Sequence, residues 1–207
     1  KIKNINVTQF IVKNANKESY KLLKYLFPYK PKKTIAITGT NGKTSVAWYL
    51  SQICKKNKIQ SKMLGTLGYF KNHIKKEETL LTTPFFEELF QYSNENKKNK
   101  YNFIFEASSH ALSQNRLKNI DVDIGAITNI TIDHIDYHKN FSRYKKSKLL
   151  LFKKFLSSKG VAILNSRLKD LSSILKITKK RKIKTIIYGS KDIFFKKEDK
   201  LYLNILN

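Results

Sequence analysis

Short apolar runs alternate along this chain with stretches whose apolar residues recur at helical spacing. Strands are predicted at 34–38, 61–67, 101–106, 124–130, 161–164 and 184–188, and a C-terminal β-hairpin at 192–206. Helices are predicted at 19–27, 44–57, 85–93, 142–155 and 168–177, a polar excursion at 71–78 and a solvated loop at 94–100. Strands that alternate with helices favour an α/β fold, with a mostly parallel sheet flanked by helices.

The N-terminal part differs from the rest of this pattern. A β-like patch at 7–12 and one predicted helix precede Pro28 and Pro31, which indicate a linker before the first strand of the main domain. We therefore expect the main domain at 31–207 and the tail of a preceding domain at 1–30.

The stretch 34–44 reads Thr-Ile-Ala-Ile-Thr-Gly-Thr-Asn-Gly-Lys-Thr and joins a predicted strand to a predicted helix. In this context Gly-x-x-Gly-Lys-Thr predicts a phosphate-binding loop (P-loop). Gly39 and Gly42 allow backbone conformations that bring N–H groups close to a ligand, and the start of the helix adds a positive dipole end. Lys43 would reach the terminal phosphates, and the Thr44 hydroxyl would ligate Mg²⁺.

The glycine pattern of this loop is incomplete. The general rule places a further glycine five residues before Gly42, and this chain has Ile37 there. An ordinary β–α turn is therefore the alternative interpretation, but the flanking strand and helix favour nucleotide binding.

The chain is strongly basic, with 42 Lys and Arg residues against 15 Asp and Glu and a formal net charge of +27. Such a charge suggests nucleic acid as a partner. Only four of the basic residues are arginine, the usual reader of bases and phosphates, and the lysines are scattered along the chain. We therefore expect no nucleic-acid partner, and a long-range attraction for anionic substrates instead.

Cysteine content and hydropathy bear on the compartment. The single cysteine, Cys54, forms no internal disulfide and is best interpreted as a buried apolar residue. No apolar run approaches the ~18 residues of a membrane span, and the N-terminus does not resemble a signal peptide. We expect a cytoplasmic protein without membrane insertion.

Polar residues follow two predicted strands at their carboxyl ends, where ligands gather in a parallel sheet. Glu106 ends the strand at 101–106, and a polar cluster at 131–138, which includes His134, follows the strand at 124–130. A carboxylate near a phosphate loop supplies what Mg²⁺ needs besides phosphate and hydroxyl oxygens. Glu106 is the best candidate for this ligand.

Six motifs occur in order along this part of the chain. They are Gly39-Thr-Asn-Gly-Lys-Thr44, Leu64-Gly-Thr-Leu-Gly68, Thr82-Thr-Pro84, Glu106-Ala-Ser-Ser-His-Ala-Leu112 with Gln114 and Arg116, Thr128-Asn129 with Asp133-His-Ile-Asp-Tyr-His138, and Tyr144 with Ser147-Lys148-Leu and Phe152. Together they resemble the central ATP-binding domain of the Mur ligase family. Within that family the chain is most similar to the members that add the third amino acid to UDP-N-acetylmuramoyl-L-alanyl-D-glutamate.

The resemblance implies roles for individual residues. The ATP-binding residues would be Gly39, Thr40, Asn41, Gly42, Lys43, Thr44 and Ser45, and the residues that contact the muramoyl dipeptide would be Thr82, Thr83, Ser108, Gln114 and Arg116. Thr44 and Glu106 would hold one Mg²⁺, and His134 and Lys148 would serve a second, the lysine as a carbamate formed with CO₂. Lys43, Glu106, His134 and Lys148 would carry the catalysis.

The implied reaction is ATP-dependent amide formation in peptidoglycan precursor synthesis. The γ-phosphoryl group would pass to the D-glutamate carboxylate, and an amino acid's amine would attack the acyl phosphate and release phosphate. Residues 1–30 would be the end of a UDP-binding domain, and the amino-acid-binding domain would lie outside this chain. We therefore expect a monomer that alone has little ligase activity.

Two other functions stay open at this point. The nearer is another amide ligase of the same superfamily, such as one that adds glutamate to folate, although 82–84 and 108–116 argue against it. The more distant is a basic NTPase whose binding to nucleic acid would fall steeply with salt. The motifs do not distinguish 2,6-diaminopimelate from lysine as the added amino acid.

Overall fold

The computed structural model describes residues 6, 8, 9, 11–98 and 100–189. Within them the strands are β1 Lys33–Thr38, β2 Ser61–Gly65, β3 Gly68–Lys71, β4 Ile74–Glu77, β5 Asn102–Glu106, β6 Val122–Ile127, β7 Leu156–Asn165 and β8 Lys184–Tyr188. The helices are α1 Ala15–Leu26, α2 Lys43–Lys56, α3 Phe86–Ser93, α4 Ser109–Ser113, α5 Ile135–His138, α6 Phe141–Leu150 and α7 Leu171–Lys180, with a π-helical segment at Leu151–Phe155. The hairpin predicted at 192–206 lies outside the described residues.

The strands form one sheet in the order β4-β3-β2-β5-β1-β6-β7-β8. From β2 to β8 neighbouring strands pair in parallel, whereas β3 and β4 add antiparallel pairs at one edge. β1, β2 and β5 are buried along almost their whole length, which is why the centres of β1 and β5 read as continuous apolar runs rather than as alternating ones. The predicted α/β fold with a mostly parallel sheet is confirmed.

Helices pack on both faces of this sheet. Because successive strand residues point to opposite faces, Ile37 and Ile104 pack with Ala47 of α2, while Phe103 and Phe105 belong to the larger cluster on the other face. α1, α3, α4, α6 and α7 contribute to that larger cluster. None of the helices in the described part of the chain is long and apolar enough to cross a membrane.

Several elements differ from the predicted ones. The stretch 71–78 is not an irregular excursion: it contains β4, which pairs with β3 at the sheet edge. Every residue of β4 is exposed, so this strand has no apolar alternation that a sequence could reveal. α1 begins at Ala15, earlier than predicted, because the Asn14 side chain accepts a hydrogen bond from Lys17 N at 3.0 Å and caps the helix.

The N-terminal helix packs on the main domain. The ring of Tyr20 lies 6.0 Å from that of Phe86 and 5.9 Å from that of Phe90, both on α3. Leu23 of α1 is buried in the larger core cluster. The described residues of the patch at 7–12 belong to no strand.

Candidate active site

The glycine-rich turn lies between β1 and α2, at the carboxyl edge of the sheet. Gly39 has a φ of 145° and Gly42 a φ of 83°, conformations that favour glycine. A Cβ on Gly39 would lie 1.9 Å from Thr128 Oγ1, so the loop backbone passes directly against the end of β6. The first N–H groups of α2, the positive end of its dipole, belong to this loop.

Two residues after β6 hold the loop in shape. Asn129 O accepts a hydrogen bond from Thr40 N at 3.0 Å, and the Asn129 side chain accepts from Asn41 N at 3.0 Å and donates to Asn41 O at 3.1 Å. The Thr128 hydroxyl donates to Asn41 O at 2.6 Å. The loop is therefore fixed from outside by a neighbouring strand as well as by its own glycines.

Two lysines donate to the same loop carbonyl. Lys43 Nζ lies 3.0 Å from Gly39 O, and Lys148 Nζ lies 2.6 Å from it. Burial, together with the nearby Lys43, lowers the pKa of Lys148 to about 7. Burial also lowers the pKa of Lys43, and Glu106 and Asp133 oppose this effect. Lys43, together with Lys148 in its protonated form, makes this edge of the sheet attractive to an anion.

Glu106 supplies a buried carboxylate beside the loop. It is 1% exposed, and its Oε2 accepts a hydrogen bond from Thr44 Oγ1 at 2.9 Å. Thr66 N donates to its Oε1 at 2.8 Å. Among the described residues no cation forms an ion pair with this carboxylate. A buried carboxylate that no cation contacts in an ion pair, next to a hydroxyl at a phosphate loop, is a suitable ligand set for Mg²⁺.

The protein alone does not form a complete metal cage in the described ranges. No group of three or more His, Cys, Asp or Glu side chains there could hold a metal ion. Mg²⁺ usually takes one or two protein carboxylates and completes its shell with substrate phosphates and water. The residues present therefore fit a magnesium nucleotide better than a metal bound by protein alone.

His134 lies at the edge of a cluster of rings. It has a left-handed φ of 47°, and its side chain is 48% exposed. Its ring centre is 5.2 Å from that of His110 and 6.2 Å from that of Tyr144. The Tyr144 hydroxyl lies 2.9 Å from Thr40 Oγ1, and its ring centre is 4.5 Å from Lys148 Nζ. Tyr144 thus connects the phosphate loop with Lys148 and the His134 ring.

The residues predicted to contact the dipeptide differ in burial and in the hydrogen bonds they make within the protein. Thr83 is fully buried: its hydroxyl donates to Glu106 O at 2.6 Å and accepts from Ser108 N at 3.0 Å. The Ser108 hydroxyl caps α4. Thr82 is less enclosed, and its hydroxyl lies 3.1 Å from that of Thr66. Thr83 and Ser108 are therefore engaged in hydrogen bonds within the protein, whereas the Thr82 side chain is only partly buried.

Arg116 uses much of its guanidinium group within the protein. Gln114 Oε1 accepts from Nε at 2.8 Å and from Nη2 at 2.6 Å, and Thr83 O accepts from Nη1 at 2.6 Å. The group lies 4.4 Å from the Phe85 ring centre, and burial lowers its pKa. Gln114 Nε2 also donates to Tyr137 Oη at 2.8 Å. The arginine therefore holds the loop that carries Thr83.

The structure adds residues that sequence analysis leaves without a role. They are Thr66, Thr128, Asn129 and Tyr144, and each makes a hydrogen bond to the loop or to Glu106. All four lie within the six motifs. Their position within the motifs was the only sequence feature that could have drawn attention to them, and it does not indicate which atoms they contact.

A cavity of about 570 Å³ opens beside the loop, at the carboxyl ends of β6 and β7. Its lining includes Asn129, Phe141, Asn165, Arg167 and Lys169. Ligands of open parallel sheets bind outside the carboxyl ends of the strands. The cavity offers room for the part of a nucleotide that extends from the loop.

The fold and the site together define a phosphate-loop domain of the α/β class. The family model of the Mur ligase middle domain matches residues 37–204. Since this match covers most of the chain, the protein belongs to the Mur ligase middle-domain family, and the resemblance drawn from the six motifs is confirmed.

The chain is similar to longer proteins with one shared name. It is 33% identical over 192 residues to the UDP-N-acetylmuramoyl-L-alanyl-D-glutamate--2,6-diaminopimelate ligase of Rickettsia bellii (strain RML369-C), covering 91% of this chain and 40% of that protein. It is 37% identical over 153 residues to the ligase of that name from Helicobacter hepaticus (strain ATCC 51449 / 3B1), covering 72% of this chain and 32% of that protein. The chain thus spans less than half the length of these relatives.

Solved structures agree with the fold. A structure of UDP-N-acetylmuramoyl-L-alanyl-D-glutamate--2,6-diaminopimelate ligase has a TM-score of 0.67 and 27% identity, covering 81% of this chain and 34% of that one. E. coli FolC in complex with DHPP and ADP has a TM-score of 0.60 and 16% identity, covering 82% of this chain and 45% of that one. At the lower identity the likeness concerns the fold alone.

Proposed function

We propose that this chain is the ATP-binding part of a ligase that adds the third amino acid to UDP-N-acetylmuramoyl-L-alanyl-D-glutamate. The observation that carries the proposal is the contact between the phosphate loop and a buried carboxylate, Thr44 Oγ1 to Glu106 Oε2 at 2.9 Å. This contact places a hydroxyl and a carboxylate side by side for a magnesium nucleotide. The names of the relatives supply the substrate class.

The loop 39–45 would hold the phosphates of ATP. Its N–H groups and the start of α2 supply donors and positive potential. Lys43, now bonded to the carbonyls of Gly39 and Thr40, would turn its ammonium group to the terminal phosphates. Its positive charge would then counter the charge that spreads over the transferred phosphoryl group.

Magnesium, when bound, would neutralise phosphate charge. Thr44 and Glu106 would hold one ion, and His134 with the carbamate of Lys148 would hold a second. The amine of Lys148 reacts with CO₂ in its neutral form, and a pKa of about 7 makes that form abundant at neutral pH. The reaction releases one proton and leaves one N–H on the nitrogen, so the bond to Gly39 O can persist.

The muramoyl dipeptide would lie against Thr82, Gln114 and Arg116, on a surface shaped by Thr83 and Ser108. The arginine has N–H groups beyond those given to Gln114 and Thr83, because a guanidinium carries five. One of them would bind an anionic group of the substrate. The D-glutamate carboxylate would then accept the γ-phosphoryl group, and an amine would replace phosphate.

The names of the relatives favour 2,6-diaminopimelate as the added amino acid. Residues 1–30 would be the tail of a UDP-binding domain, and the domain that binds the amino acid would lie outside the 207 residues. We further propose that the protein is a cytoplasmic monomer with no nucleic-acid partner.

The first test measures binding of Mg-ATP to the purified chain by isothermal titration calorimetry. Lys43→Ala should weaken binding about tenfold or more, since a hydrogen bond to a charged group contributes ~1.5–3 kcal/mol. Lys56→Ala, which removes an exposed lysine at the other end of the same helix, is the matched control and should bind like the parent. Equal binding by parent and Lys43→Ala would contradict the proposal.

A substrate panel then distinguishes the ligase classes by ADP release. UDP-N-acetylmuramoyl-L-alanyl-D-glutamate should promote ATP consumption when the remaining ligase domains are present. Stimulation by a folate substrate, with none by the muramoyl dipeptide, would assign the chain to the other amide ligases. Stimulation by DNA or RNA would favour the nucleic-acid-binding NTPase.

A further inference from the structure

The carboxylate of Glu106 packs directly against the backbone of Gly65. Parallel pairing of β2 with β5 aligns Leu64 with Phe105, so the next residues, Gly65 and Glu106, lie side by side. A Cβ on Gly65 would lie 2.1 Å from Glu106 Oε1 and 2.7 Å from its Cδ. Any other residue at position 65 would therefore displace the carboxylate.

Space, rather than backbone conformation, explains the glycine at this position. Gly65 is not among the described residues with positive φ, so its backbone conformation is open to other residues. Gly68, at the other end of the same turn, has a φ of 104°, and its Cβ would lie 2.5 Å from Glu77 O. Gly68 therefore serves the hairpin, whereas Gly65 makes room for Glu106.

Thr66 determines the direction of the same carboxylate. Its N–H donates to Glu106 Oε1 at 2.8 Å, and its hydroxyl lies 3.4 Å from Oε2. These bonds leave Oε2 against the Thr44 hydroxyl. Because Glu106 is 1% exposed, protein donors rather than bulk water set its orientation.

We propose that Gly65 and Thr66 are positioning residues, which hold the Glu106 carboxylate in place for the magnesium ion of a bound nucleotide. The proposal rests on the proposed function, since it needs a magnesium nucleotide at the loop. Gly65 acts through the absence of a side chain and Thr66 through its two contacts. The bond between Thr66 and Thr82 also joins this carboxylate to the loop assigned to the dipeptide.

The test compares Gly65→Ala with Gly125→Ala, whose Cβ in β6 would meet its nearest neighbours at an ordinary 3.5 Å. Affinity of the purified chain for ADP is measured by calorimetry, once with Mg²⁺ and once with EDTA. Gly65→Ala should lower the affinity for Mg-ADP about 10- to 100-fold, the usual effect of residues that orient a metal ligand. Binding of metal-free ADP should stay unchanged, and Gly125→Ala should change neither.

A thermal double-mutant cycle keeps the proposal testable if Gly65→Ala also loses stability. Glu106→Ala removes the Cγ, Cδ and Oε1 atoms that the new methyl group would meet. Gly65→Ala should therefore lower the unfolding midpoint in the parent and leave it unchanged in the Glu106→Ala background. An equal lowering in both backgrounds would overturn the proposal.

The binding experiment separates this inference from the proposed function. A parent chain that does not bind Mg-ADP contradicts both, because no magnesium nucleotide then needs Glu106. A parent that binds Mg-ADP, with a Gly65→Ala variant that binds it equally well, overturns the positioning role and leaves the proposed function standing.

Discussion

Two lysines of this chain are buried to the same degree in regions that surround them differently. Lys62, in β2, and Lys148, in α6, are each 1% exposed. Lys62 Nζ lies 2.8 Å from Glu95 Oε1 and donates to the carbonyls at the C-terminal end of α3. Lys148 Nζ donates to Gly39 O, and the nearby cation Lys43 opposes its charge.

The difference shows what a buried ammonium group means in each region. Burial lowers the pKa of both lysines, because a low dielectric disfavours the charged form. Glu95 opposes this effect at Lys62, where the contacts of the ammonium group join the C-terminal end of α3 to β2. No ion pair of the described residues includes Lys148, and its pKa of about 7 puts both protonation states within reach. Lys148, the lysine without an ion pair, is therefore the one that indicates a functional site.

Replacing Lys62 tests the structural half of this comparison and should have the largest effect. Lys62→Met keeps an apolar side chain of similar length but leaves Glu95 and the α3 carbonyls without the ammonium group. Removing one partner of a buried ion pair costs ~3–5 kcal/mol. Because Lys71 still pairs with Glu95, we expect the lower end, about 3 kcal/mol, in the free energy of unfolding measured with urea.

Lys71→Met is the matched control for this variant. Lys71 Nζ lies 3.0 Å from the same Glu95 oxygen, but its side chain is 30% exposed. Exposed pairs contribute ~0.2–1 kcal/mol, so the control should lose far less stability. Equal losses in the two variants would show that burial does not distinguish these lysines.

Replacing Lys148 tests the other half through the pH dependence of stability. An unfolded lysine keeps its proton up to its ordinary pKa of 10.5, whereas folded Lys148 releases it near 7. The unfolded state therefore binds more protons above pH 7, and stability rises with pH. Lys148 should contribute about 1 kcal/mol of this rise between pH 7 and pH 8, which Lys148→Met should remove. Urea unfolding in CO₂-free buffer at the two pH values measures it.

Bicarbonate provides a second arm to the Lys148 experiment. A carbamate forms on the neutral amine, so bicarbonate should stabilise the parent and leave Lys148→Met unchanged. A variant that keeps the full rise between pH 7 and pH 8 would contradict the assignment of that rise to Lys148. The lack of an ion pair at Lys148 would then not distinguish it functionally from Lys62.

The sequence was enough to predict those parts of the fold and site that depend on residues adjacent along the chain. The strand predicted at 34–38 is β1, Lys33–Thr38, and the helix predicted at 44–57 is α2, Lys43–Lys56. Strand, loop and helix follow one another along the chain, so a short stretch of sequence is enough to predict them. Glu106 was recognisable for the same reason, as the carboxylate that ends an apolar strand.

Features that depend on pairing between distant segments could not be predicted in this way. Lys62 is buried because Glu95, in the stretch predicted as a solvated loop, reaches its ammonium group. Thr66 contacts Glu106 because β2 pairs with β5, and no local pattern encodes that register. No local pattern distinguishes Lys148 from the other lysines of the predicted helix at 142–155, because its partner Gly39 lies far away in the sequence.

Tyr144→Phe should have the smallest effect and tests which part of the tyrosine matters to the lysine site. The variant keeps the ring, whose centre lies 4.5 Å from Lys148 Nζ, and loses the hydroxyl, 2.9 Å from Thr40 Oγ1. Thr40 keeps its bonds to Thr131, so no buried polar atom is left without a partner. We expect a loss of about 0.5 kcal/mol in the free energy of unfolding, the lower end for one hydrogen bond.

The pH dependence of Tyr144→Phe makes this small change informative. The ring that buries Lys148 is intact, so the rise in stability between pH 7 and pH 8 should equal that of the parent. Tyr49→Phe removes a hydroxyl from a residue that is 66% exposed on α2, and as the control it should change neither quantity. If Tyr144→Phe abolishes the rise, the hydroxyl rather than burial controls Lys148. The difference between Lys148 and Lys62 would then come from their hydrogen-bond partners. The neutral Tyr144 hydroxyl, rather than the lack of a carboxylate partner, would account for the lowered pKa of Lys148.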